Sequence, residues 1–170
     1  MPTILSLPLV ALFPLLMAFA ASSDLLTMRI SNRLVLVTVV GFFVLALAAG
    51  LPFEVIGMNV ACAVAVLAVG FAFFAFGWIG GGDAKLAAAT TLWLGFGMML
   101  PYVVMASLLG GALTMAILAA RRWPLPQRWQ KIAWLDRLHD KKSGVPYGIA
   151  LAAAGLLLYS DTAIFQHFVA

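Results

Sequence analysis

Charge is what this chain has least of. Only 9% of its 170 residues are Asp, Glu, Lys or Arg, while 65% are hydrophobic, and the mean hydropathy is +1.10. A soluble domain carries about a quarter of its residues as charges, so a water-covered globule is excluded. The single cysteine, Cys62, excludes an intrachain disulfide and a CxxC zinc clasp. Lying inside an apolar run, it reads as a small buried or lipid-facing residue. Also missing is the polar/apolar alternation of a transmembrane strand. Stretches such as "VACAVAVLAVGFAFFAF" are apolar throughout, which leaves helices as the way to satisfy the backbone in lipid. No internal repeat, low-complexity tract or linker divides the chain. The formal net charge of +4 does not imply nucleic acid, because in a membrane protein the placement of basic residues outweighs their sum.

What is present is a series of apolar segments, each to be judged against the ~20 helical residues needed to cross ~30 Å of hydrocarbon. They predict a single all-α domain over residues 1–170, a bundle of about six transmembrane helices. The approximate spans are Thr3–Ser23, Leu34–Gly50, Val55–Trp78, Leu86–Leu100, Pro101–Ala120 and Val145–Tyr159, with Pro101 marking the break between the fourth and fifth. The tail "DTAIFQHFVA" is too short to span. The first segment has no Lys or Arg ahead of it, unlike a secretory signal, and is expected to stay in place.

The charges support the count independently. Arg29, Arg33, Lys85, Arg121, Arg122, Arg128, Lys131, Arg137, Lys141 and Lys142 all fall on one side of a six-span chain, and Glu54 and Asp161 fall on the other. The positive-inside rule makes the basic side cytoplasmic and puts both termini outside the cytoplasm. The polar loop 121–144, "RRWPLPQRWQKIAWLDRLHDKKSG", brings Trp123, Trp129, Trp134 and Leu138 near helical spacing among basic residues. It reads as an amphipathic segment on anionic headgroups, with a docking surface for a protein partner as the alternative.

Two acidic residues stand at span ends on this side. Asp24 closes the first apolar run, and Asp83 follows three glycines in "WIGGGDAKL". An ionisable group at membrane depth is costly and tends to have a partner or a function. Capping a helix end would explain Asp83 but would leave Gly80–Gly82 unexplained. Glycines there allow close approach or unusual bends of the backbone. Facing each other, Asp24 and Asp83 would form a carboxylate pair sharing a proton. One could activate a water while the other protonates the leaving group of a scissile amide. From helix ends alone, Asp83 at an N-terminus is expected to carry the charge and Asp24 near a C-terminus to keep the proton.

The residues then resemble a known family. "GGGDAKL" matches the GxGD signature of intramembrane aspartyl proteases, and its GxGDxKL extension, with Gly80, Gly82, Asp83 and Lys85, resembles the type IV prepilin peptidases. "DLLTMRISNRL", with Asp24, Arg29, Ile30 and Asn32, looks like that family's first-aspartate motif. "GVPYGIALAAAG", around Pro146, Tyr147 and Gly148, looks like its last-helix segment. The resemblance implies a cofactor-free aspartic endopeptidase that removes a short basic leader from prepilin-like proteins at the cytoplasmic face of the bacterial inner membrane. It implies Asp24 and Asp83 as the catalytic pair, and the pilus assembly machinery and membrane lipids as further partners. The longer members carry a cysteine-bearing zinc domain between the first two spans and are linked with N-methylation of the new terminus. Here about ten residues separate those spans, which points away from methyltransferase activity and towards the short Flp (tight-adherence) type.

The remaining residues carry narrower expectations. Lys85 would point away from Asp83 on a helix, towards lipid phosphate or as a distant electrostatic influence. Arg29 and Asn32 would position Asp24 or hold substrate backbone, with an interfacial anchor equally natural for Arg29. Pro146 is expected to open the last helix, with Tyr147 and Gly148 shaping the cleft. His139 and His167 fall on opposite sides and hold no metal together. Asp24 and Asp83 would also suit a proton- or cation-coupled transporter, although such proteins favour midplane carboxylates and inverted repeats. A non-catalytic assembly protein is the third reading.

Overall fold

A computed structural model of the protein describes residues 6–169. The helices are α1 (Ser6–Thr27), α2 (Asn32–Ala48), α3 (Phe53–Ala75), α4 (Gly81–Ala120), α5 (Gln127–Gln130), α6 (Ala133–His139), α7 (Gly148–Leu158) and α8 (Ala163–Val169), with a 3-10 turn at Tyr159–Asp161. No strand occurs among the described residues. The start of the expected first span, Thr3–Leu5, lies outside them. The all-α membrane architecture is as the sequence predicts. α1, α3 and α4 are each long and apolar enough to cross a membrane, and α7 with α8 adds a fourth if that pair, bent by 52°, is one span. α2 is apolar but shorter.

Burial is distributed as it should be in lipid. Large side chains such as Leu15, Phe19, Phe71 and Leu108 are exposed, whereas Asp24, Thr38, Thr90, Thr91 and Arg121 are buried. The centre of the bundle is aromatic: Phe13 stacks on Tyr159 at 4.7 Å and lies 5.0 Å from Trp93, which meets Phe42 edge-on. The Trp93 indole donates to the Thr38 carbonyl at 3.0 Å, so its polar edge is satisfied where no water could serve.

Two boundaries differ from expectation in ways that matter. α1 continues past Ser23 to Thr27, so Asp24 lies inside its last turn, and only Met28–Ser31 connect it to α2. The helix ends when Met28 takes φ 55 and its N–H bonds the Asp24 carbonyl at 2.8 Å, a left-handed cap usually made by glycine. The Ser23 and Thr27 hydroxyls donate to the Arg29 carbonyl at 3.0 and 3.3 Å, pinning the connection.

The second correction concerns Pro101. It does not break the chain; it sits within helical backbone, and the interruption in α4 is at Gly95, with φ 69 and ψ −179. A straight helix of this length would reach about 60 Å, and Asp83 and Ser107 would lie about 36 Å apart along it. They line one cavity instead, so the halves on either side of Gly95 fold back against each other. That backbone conformation is essentially restricted to glycine. A proline costs a helix only one bond, which membrane helices absorb.

The loop after α4 is not one amphipathic helix. Pro124 and Pro126 end any continuation, and only the short α5 and α6 form, with Trp123 and Trp129 exposed. Arg121 is buried and holds the loop from beneath, its guanidinium donating to the carbonyls of Leu138 at 2.8 Å and Gly144 at 2.9 Å. Arg137 donates to the Leu26 carbonyl at 2.8 Å, tying α6 to the orphan C-terminal carbonyls of α1.

Candidate functional site

Asp24 is carried by the last turn of α1 and is 5% exposed. Its Oδ2 accepts the backbone N–H of Gly148 at 2.7 Å. The first N–H groups of a helix have no partner within it, and Gly148 is the first residue of α7, so one of those free donors is spent on the carboxylate. Pro146 therefore does not open the helix; it is buried two residues earlier, and a proline at the position of Gly148 could not donate. Gly148 has no room for a side chain, since a Cβ would stand 2.8 Å from Asp24 Oδ2 and 2.9 Å from Ile30 Cδ1.

Asp83 occupies the third position of α4, whose N-cap is Gly80. α3 is closed by Gly77 with φ 75, where Trp78 N–H bonds Phe73 O and Gly77 N–H bonds Phe74 O, both at 2.9 Å. This cap turns the chain towards Gly80. The three following glycines are needed for proximity, not for unusual dihedrals: none has positive φ. A Cβ on Gly80 would lie 2.7 Å from Asp83 Oδ2, one on Gly81 3.2 Å from the Phe74 ring, and one on Gly82 3.2 Å from Ile30 Cβ.

Both carboxylate residues open into one cavity of about 1290 Å³, shared with Arg29, Asn32, Gly80–Gly82 and Tyr147. Lys85 is not in its wall. Its ammonium donates to Asn32 Oδ1 at 2.9 Å, joining the start of α4 to the start of α2. Tyr147 lines the cavity, its ring lies over Gly110, and its hydroxyl donates to the Ala106 carbonyl at 3.3 Å. Sequence reasoning missed Ser23, Thr27, Met28 and Ser107 as wall residues. The first three sit within the quoted first-aspartate stretch or beside it, whereas nothing marked Ser107 among the apolar residues of α4.

The helix-end distinction between the two aspartates does not hold. Asp24 belongs to a C-terminal turn, but its carboxylate reaches across to the N-terminus of α7, while Asp83 sits at the N-terminus of α4. Both side chains thus meet the positive end of a helix. Two carboxylates sharing a cavity can hold a water, one taking its proton and the other supplying a proton to a leaving nitrogen. No group of three His, Cys, Asp or Glu that could hold a metal occurs among the described residues.

The pattern of the type IV leader peptidase family matches residues 11–115. The chain belongs to that family. The match takes in both aspartates and the reversal at Gly95, and ends before the stretch around Pro146–Gly148. No curated protein and no solved structure matches. As a type IV leader peptidase the protein is a multi-pass membrane peptidase, and membership implies a prepilin substrate.

Proposed function

We propose that the protein is an aspartic endopeptidase that removes the leader of Flp-type prepilins at the cytoplasmic membrane face, using Asp24, Asp83 and a water between them. The observation that carries this reading is the convergence of both aspartates on one cavity, from elements far apart in sequence. In the reaction, one carboxylate takes a proton from water as its oxygen attacks the scissile carbonyl. The other protonates the amine nitrogen as the C–N bond breaks, and neither step consumes a cofactor. Arg29 and Asn32 line the same cavity and would hold an extended substrate backbone. The short Met28–Ser31 connection, with no zinc domain between the first two helices, supports a peptidase that acts without methyl transfer.

The topology belongs to the same reading. With α4 counted as two spans and the bent α7–α8 pair as one, the chain crosses the bacterial inner membrane six times. Every Lys and Arg then lies on the cytoplasmic side, both termini lie outside the cytoplasm, and Trp123 and Trp129 rest on lipid headgroups. Coexpression with a candidate Flp prepilin tests the activity. A shortened pilin with an unmethylated new terminus is expected; a prepilin that keeps its leader, or a methylated product, contradicts the proposal.

A further inference from the structure

The geometry points to Ile30 as a positioning residue that sets the separation of the two aspartates, an inference that rests on the proposed dyad. Its side chain occupies the space left by two glycines from different parts of the chain. The position a Cβ would take on Gly82 is 3.2 Å from Ile30 Cβ and within 3.7 Å of its backbone N and O; the corresponding position on Gly148 is 2.9 Å from Ile30 Cδ1. Gly82 immediately precedes Asp83. Gly148 supplies the N–H that holds Asp24. One isoleucine is therefore wedged between the backbone that carries one carboxylate and the backbone that orients the other.

The wedge is itself fixed. Ile30 lies in the Met28–Ser31 connection, whose entry is the left-handed Met28 and whose Arg29 carbonyl is held by the Ser23 and Thr27 hydroxyls. Non-glycine residues adopt that conformation rarely and persist in it where the surroundings fix them. The strain therefore sits where it aims Ile30 at both glycines. Packed interiors transmit such displacements, because close-packed side chains leave few alternatives. A shift of about 1 Å between reacting groups costs on the order of a hundredfold in rate.

The test shortens the wedge in steps. Ile30→Val removes Cδ1, the atom against Gly148; Ile30→Ala removes everything beyond Cβ and opens the Gly148 side further, while the Cβ and backbone that meet Gly82 remain in both. With a purified prepilin substrate, kcat is expected to fall about threefold in Ile30→Val and about 30- to 100-fold in Ile30→Ala, with KM within about twofold of the parent. A rise in KM at constant kcat would make Ile30 a substrate contact and overturn the inference, as would unchanged kinetics. A second measurement needs no activity. In a Cys62→Ala background, Asp24→Cys and Asp83→Cys are joined by bifunctional thiol reagents of graded length. Ile30→Ala is expected to lengthen or broaden the range of linkers that react, and an unchanged range overturns the inference even if the enzyme assay fails because the dyad assignment is wrong.

Discussion

Replacing Gly148 by alanine should damage the protein although alanine is ordinarily the better helix residue. At an unconstrained helical position the change would stabilise by roughly 0.5–1 kcal/mol. Here the new Cβ would lie 2.8 Å from Asp24 Oδ2, 2.9 Å from Ile30 Cδ1 and 3.1 Å from Asp24 Cβ. Relief requires the carboxylate to withdraw from the Gly148 N–H, and losing a hydrogen bond to a charged group costs about 1.5–3 kcal/mol. Overpacking adds about 1–3 kcal/mol. The net expectation is a destabilisation of about 2–5 kcal/mol and, from a displacement of about 1 Å, a loss of roughly a hundredfold in cleavage rate. Gly111→Ala is the matched control, because nothing lies within 4 Å of its Cβ position; it should be neutral or mildly stabilising. The assays are thermal unfolding in detergent and single-turnover leader cleavage in lipid vesicles. Wild-type rate and midpoint in Gly148→Ala would refute the contact on which the Asp24 geometry rests.

Three other perturbations separate local roles. Gly95→Ala should cost about 1–3 kcal/mol for its backbone conformation alone, with a further clash because the Cβ would meet Asn59 Oδ1 at 2.5 Å; Pro101→Ala should be tolerated, and thermal midpoints compare the two. A double-mutant cycle of Lys85→Met and Asn32→Ala should give a coupling of about 0.5–1.5 kcal/mol for the 2.9 Å hydrogen bond, whereas additive effects would place Lys85 elsewhere. Arg121→Lys cannot grip two carbonyls with one planar fork, so limited proteolysis within 121–144 should accelerate about tenfold, while the exposed Arg122→Ala should leave it unchanged.

The sequence made legible whatever depends on local composition. Apolar runs marked the helices, and the glycines with Asp83 marked the entry to α4. The low charge elsewhere made Asp24 conspicuous. What stayed hidden was set by contacts between distant segments. The Asp24 carboxylate finds its donor at Gly148 and Lys85 finds Asn32, and no periodicity announces either. Glycine's two uses also look alike in sequence. Gly95 is required for its dihedrals, whereas Gly80 and Gly82 are required because Asp83 and Ile30 occupy the space of a side chain. Hydropathy gave Pro101 the break because proline is the stronger helix breaker on average, yet one proline costs a helix a single bond, and only glycine can take the conformation at Gly95. The loop 121–144 showed helical spacing of its tryptophans, but Pro124 and Pro126 divide it.

The most direct measurement is leader removal by Asp24→Asn and Asp83→Asn, each purified, reconstituted in lipid vesicles and compared with the parent on the same prepilin. Asparagine keeps the shape of the side chain and its capacity to accept from Gly148 N–H, but it cannot take or give the proton that hydrolysis requires. Each variant is expected to insert and unfold like the parent and to lose cleavage by at least about a thousandfold, within the range general acid–base groups supply. Cleavage near the parental rate in either folded variant would contradict a catalytic pair made of Asp24 and Asp83.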